Sequence, residues 1–79
     1  MDRFNEMTAI HAVATLKSFT KAAETLGTSR PAMSRHIAAL ESRLGTRLLQ
    51  RSTRHVALTE EGRAFFTRCV EALEIIEDA

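Results

Sequence analysis

The sequence predicts a small, mainly helical domain: three short helices, a short two-stranded element, and a long helix that closes the chain. Three observations carry that prediction. Apolar residues recur at steps of three and four in four separate stretches, the spacing of one face of a helix. The 79 residues include only three Gly and one Pro, which leaves little for loops or hairpins. Short segments rich in Ser, Thr and Gly separate the stretches, where helices start and stop. A composition of 44% hydrophobic and 27% charged residues is globular rather than disordered, and the length suits one domain.

The first stretch is Phe4, Met7, Ile10, Val13, Ala14 and Leu16. Asp2 or Asn5 is placed to cap it, and it should stop near Lys17. The second, Phe19, Ala22, Ala23 and Leu26, is short, with Ser18 as N-cap and Gly27 just past its end. Its two alanines let another helix cross closely. Only Thr28 and Ser29 precede the third helix, where Ser29 caps and Pro31 falls harmlessly in the first turn. Its stripe is Met33, Ile37, Leu40 and Leu44, ended by Gly45. Two helices joined by so short a Gly-containing turn cross steeply, as in a helix-turn-helix. Residues 47–58 read as two short strands joined by a basic polar turn, a wing, with a plain loop as the competing reading. Thr59 then caps a last helix, with Glu60 and Glu61 at the positive end of its dipole. Phe66, Cys69, Val70, Leu73 and Ile76 form its stripe, and its roughly 30 Å exceed what so small a domain needs.

Charge is unevenly distributed. Residues 1–27 are neutral. Residues 28–59 carry six Arg against Glu41 alone, a balance of +5, and residues 60–79 carry −4. A basic middle on an otherwise balanced chain predicts a surface facing a polyanion. Arg, the only cation there, suits bidentate contacts to phosphate and guanine. At ~100° per residue, Arg35 and Pro31 fall nearly opposite the apolar stripe of the third helix, with Ser34 at the flank. The outward face of its first turns is therefore Arg30, Pro31, Ser34 and Arg35, with slim Ala38 and Ala39 behind. A helix entering the major groove needs hydrogen-bonding side chains in its first turns and nothing bulky beside them.

Residues 18–62, SFTKAAETLGTSRPAMSRHIAALESRLGTRLLQRSTRHVALTEEG, closely resemble the winged helix-turn-helix of LysR-type bacterial transcriptional regulators. The shared pattern, SFTxAAxxLxxSxPAxSxxIxxLExxLGxxLLxRxxRxxxLTxxG, is long and gapless. Residues 4–16 are similar to the family's first helix and residues 63–79 to its linker helix. The resemblance implies a DNA-binding domain over 1–59 and a linker and dimerisation helix over 60–79. It implies a homodimer on an interrupted inverted repeat in double-stranded promoter DNA. It also implies an effector-binding domain beyond residue 79, through which alone a small molecule would act. Carried over by position, the recognition-helix contacts fall on Ser29, Arg30, Pro31, Ser34 and Arg35, the wing contacts on Arg51, Thr53 and Arg54, and backbone contacts on Thr20 and Lys21. The dimer seam falls on Phe66, Cys69, Val70, Leu73 and Ile76, with Phe4, Met7 and Ile10 of the partner or the same chain beneath the linker helix. Many members have Gln where this chain has Arg30 and His36, so base preference at Arg30 does not carry over.

No enzyme, metal or cofactor is expected. There is no nucleophile–base pair or carboxylate pair, and His11, His36 and His55 lack ligand spacing. Cys69, the single cysteine, reads as a small core or interface hydrophobe. No run of ~18 apolar residues and no signal-peptide pattern are present, and the expected location is the bacterial cytoplasm, on the nucleoid. The rival function is a winged-helix protein-docking module, which has no need of six Arg within 32 residues.

Overall fold

A computed structural model of the chain describes residues 3–50 and 56–79. In chain order it comprises α1 (Arg3–Leu16), α2 (Phe19–Leu26), α3 (Arg30–Leu44), β1 (Leu49–Gln50), β2 (Ala57–Leu58) and α4 (Glu60–Asp78). The strands pair antiparallel, with Leu49 opposite Leu58 and Gln50 opposite Ala57. Residues 1–2 and residues 51–55, where the sequence leads one to expect the basic turn, lie outside the described residues.

Local chemistry sets each boundary. The Ser18 hydroxyl oxygen accepts from the Lys21 backbone N–H at 3.1 Å, and Ser29 does the same for Ala32 at 3.2 Å. Thr59 Oγ1 accepts from the Gly62 N–H at 2.9 Å and donates to the Arg47 carbonyl at 2.6 Å, so this cap also ties α4 to the segment before β1. Gly27 and Gly45 both sit at φ +69°, the left-handed conformation that closes a helix cheaply only without a Cβ. One expectation is corrected: α1 begins at Arg3, so Asn5 lies inside the helix and does not cap it. Asp2, the other proposed cap, lies outside the described residues.

The core joins Ile10 and Val13 of α1, Ala22 and Ala23 of α2, and Met33, Ile37 and Leu40 of α3 to Leu48, Leu49 and Cys69. Ala22 and Ala23 allow α2 its close approach to α1 and α3. The apolar stripes overshoot this core. Leu26 and Leu44 lie at its rim, 39% and 37% exposed, because a helical wheel gives direction but not depth. Cys69 is 1% exposed within the single chain and belongs to the core; this corrects its place in the seam offered to a partner. Burial pushes its thiol up to about 11, away from reactive thiolate.

Among the described residues two carboxylates are buried, and both hold elements together. Glu6 of α1 takes a two-pronged contact from Arg43 of α3, with Nη2 to Oε1 at 2.6 Å and Nε to Oε2 at 3.4 Å. Glu41 Oε2 accepts from the backbone N–H groups of Leu48 and Leu49, at 2.8 and 3.2 Å. Burying a charge is costly unless such partners satisfy it. Among the described residues, no buried side-chain N or O atom lacks a partner. Gly62 completes the join. A Cβ there would overlap the Leu48 carbonyl oxygen and sit 2.8 Å from its carbonyl carbon, so only glycine lets α4 lie this close to the Leu48 backbone.

Candidate nucleic-acid interface

The α2–turn–α3 unit positions the candidate surface. Met33, Ile37 and Leu40 are fully buried, which fixes the rotation of α3 about its axis. Pro31 and Arg35 are therefore exposed on its opposite side, with Ser34 half-buried at the flank, while Arg30 is exposed at the N-terminal end of the helix, above the azimuth of Ile37. Ala38, Ala39 and Ser42 continue the exposed side without bulk. Ser29 stands exposed at the N-terminus of α3, its oxygen accepting the capping bond and its hydroxyl hydrogen left to donate. Thr20 and Lys21 are exposed in the first turn of α2.

Arg30 is held on one side. Its guanidinium carbon lies over the Phe19 ring, 5.8 Å from the ring centroid, within range of a cation–π attraction. Neither Lys21, Arg30 nor Arg35 forms an ion pair with a carboxylate among the described residues. Arg43 behaves differently. The charge balance of the sequence counts it with the other Arg residues, yet Glu6 neutralises it. Sequence reasoning missed that pair, the Glu41 tie, the Gly62 contact and the Phe19 stack. The signal for two of them stood in the shared pattern, as the Glu of LExxLG and the last Gly of LTxxG.

The proposed wing residues Arg51, Thr53 and Arg54 lie outside the described residues. The strands that would carry them are present and paired. On α4, Phe66, Val70 and Leu73 are half-buried and Ile76 is 49% exposed. The Phe66 ring stacks on His11 of α1, with centroids 5.3 Å apart and planes 2° from parallel. Met7 and Ile10 pack in the core of their own chain. A groove between α1 and α4 remains open, lined by Phe4, Thr8, His11, Val70, Leu73, Glu74 and Glu77. Among the described residues no three His, Cys, Asp or Glu side chains gather to hold a metal ion, and no helix is long and apolar enough to cross a membrane.

Known proteins share both this sequence and this shape. The chain is 41% identical, over 99% of its length, to YhjC of Escherichia coli (strain K12), named as an uncharacterized HTH-type transcriptional regulator. It is 38% identical over the same share to an HTH-type transcriptional repressor, PA14_22550, of Pseudomonas aeruginosa (strain UCBPP-PA14). The chain spans about a quarter of the length of these two curated relatives. Among solved structures, BenM_DBD in complex with benA site 1 DNA superposes with a TM-score of 0.94 at 36% identity, covering 99% of this chain and 86% of that one. CbnR_DBD in its DNA complex gives 0.89 at 36% identity, covering 99% and 88%. The architecture of four helices and a small two-stranded sheet is thus that of the winged-helix domains in those complexes. Residues 4–63 match the sequence profile of the bacterial regulatory helix-turn-helix proteins of the lysR family, and the chain belongs to that family.

Proposed function

We propose that this chain binds double-stranded DNA sequence-specifically, as the DNA-binding part of a bacterial transcriptional regulator. The observation that carries the reading is the face of α3. Pro31 and Arg35 are exposed opposite a buried stripe, with Ser34 at the flank and Arg30 exposed at the helix N-terminus, in a fold shared with solved complexes with DNA. In this reading α3 enters the major groove. Ser29, Thr20 and Lys21 meet the sugar-phosphate backbone at helix N-termini. Arg51, Thr53 and Arg54 reach the backbone or a narrow minor groove, whose potential attracts Arg. Residues 1–59 do the reading and residues 60–79 link and pair two copies. A small-molecule effector acts through a further domain, in the cytoplasm, on nucleoid DNA. No step of this function is enzymatic.

Binding to a preferred duplex and to mixed-sequence DNA, each at several salt concentrations, tests the reading. Phosphate contacts make affinity fall steeply with salt. Arg35→Ala is expected to cost about 1–3 kcal/mol on the preferred duplex and much less on mixed DNA. Equal losses on both would make Arg35 a phosphate contact, and a wild-type chain that ignores DNA would leave the protein-docking reading.

Pairing rests on Phe66, Val70, Leu73 and Ile76 beside the exposed Phe4, an apolar strip on a chain whose symmetric pairing would set two α3 helices on one DNA face. Leu73→Asp puts an unpaired charge in that strip and is expected to convert a dimer to a monomer in sedimentation equilibrium. A wild-type monomer at high protein concentration would overturn the pairing.

A further inference from the structure

Phe19 is the first residue of α2 and Arg30 the first of α3, so their contact bridges the two helices across the turn. The Phe19 ring packs against the core, which holds it in place. A guanidinium laid over a ring loses rotamer freedom but keeps its N–H donors, which lie in its own plane. Arg30 has donors only and cannot accept.

Those properties select among base edges. In the major groove guanine offers two acceptors side by side, O6 and N7, matched to a planar fork of donors. Adenine sets a donor beside N7, cytosine offers a donor, and thymine offers one acceptor beside a methyl group. A phosphate can also accept both prongs of the fork, but it carries no base identity, so a preference confined to one pair of positions separates the two. Arg30 is exposed at the N-terminal end of α3, beside the exposed Pro31 and one turn before Ser34, the end that would approach base edges. We infer that Arg30 reads a guanine in each half-site, and that Phe19 is the positioning residue that sets the plane of the Arg30 fork. This inference rests on the DNA-binding reading above.

The test is the base preference at every position of the bound duplex, selected from a random library and then checked by affinity on single-base variants. It compares the wild-type chain with Arg30→Gln, Phe19→Leu and Phe19→Tyr. Arg30→Gln is expected to move one symmetry-related pair of positions from guanine to adenine, with about a tenfold loss on the original duplex. Phe19→Leu keeps an apolar side chain without a π face. It is expected to erode the guanine preference about two- to fivefold at that same pair of positions only. Phe19→Tyr retains the face and should retain the preference. A uniform loss on all duplexes in Arg30→Gln would make Arg30 a phosphate contact and overturn the inference. So would an unchanged guanine preference in Phe19→Leu, or an erosion spread over all positions together with a lowered melting temperature. Wild-type chain that binds no duplex fails the DNA-binding reading itself, whereas wild type that binds with preferences indifferent to Arg30 fails this inference alone.

Discussion

Gly62→Ala is expected to destabilise the domain by about 3 kcal/mol or more, the upper end of what overpacking costs. Helix propensity alone gives the opposite sign. Gly62 lies in the first turn of α4, and Ala in a helix interior is favoured over Gly by about 1 kcal/mol. The added Cβ, however, meets backbone rather than a side chain, with the Leu48 carbonyl carbon at 2.8 Å and its Cα at 3.0 Å. That backbone is held twice. The Leu48 N–H donates to Glu41, and its carbonyl accepts from the Thr59 N–H at 2.9 Å. Moving Leu48 aside would break both bonds and disturb a fully buried side chain. Native domains are stable by only about 5–15 kcal/mol, so a loss of this size is plain in a urea titration followed by circular dichroism. A midpoint at or above that of wild type would show that α4 and Leu48 separate without cost.

Glu41→Ala is expected to cost about 3–5 kcal/mol, and Glu41→Gln clearly less. The alanine leaves two buried backbone N–H groups, those of Leu48 and Leu49, without their acceptor. Each orphaned donor costs about 1–3 kcal/mol, and bonds to a charged acceptor are the stronger kind. Glutamine keeps a carbonyl oxygen with two lone pairs at nearly the same place, so it loses the charge but not the geometry. Urea titration of both variants checks the order. Amide exchange adds a local reading, since the Leu48 and Leu49 amides should lose protection in Glu41→Ala before α1 and α2 do. Equal losses in the two variants would mean that the hydrogen bonds contribute little and the side chain acts by filling space.

Much of this fold is written locally. Ser18, Ser29 and Thr59 announce their helices because a cap bonds three residues away, within any short window of sequence. The outward face of α3 is equally legible, since Met33, Ile37 and Leu40 alone determine it. What escaped involves partners distant along the chain. Arg43 counts as one more positive charge until Glu6, 37 positions earlier, is seen across from it. Glu41 looks like a minor offset to a basic segment until it is found inside, accepting from backbone. Cys69 and Val70 share one apolar stripe, yet one is sealed in the core and the other half-open, a difference that periodicity cannot express. The basic turn at 51–55 is legible as composition, and its residues lie outside those described.

The helix α3 divides its labour along its length. Its first two turns expose Arg30 and Arg35, and beside the buried Met33 they are tied by the Ser29 cap and the Arg30 contact with Phe19. Its last two turns carry Glu41 and Arg43, which fasten β1 and α1 to it. The two jobs share one rigid rod, and the polar side chains that fasten it to β1 and α1 are not those it presents. A chain built this way can exchange its address without rebuilding its house. The positions at one end are open to substitution while those at the other hold the angle at which any new set of side chains is presented. Grafting outward-facing residues from a relative therefore has a natural border in this protein, between Arg35 and Leu40, where the rod stops facing a partner and starts serving as a beam.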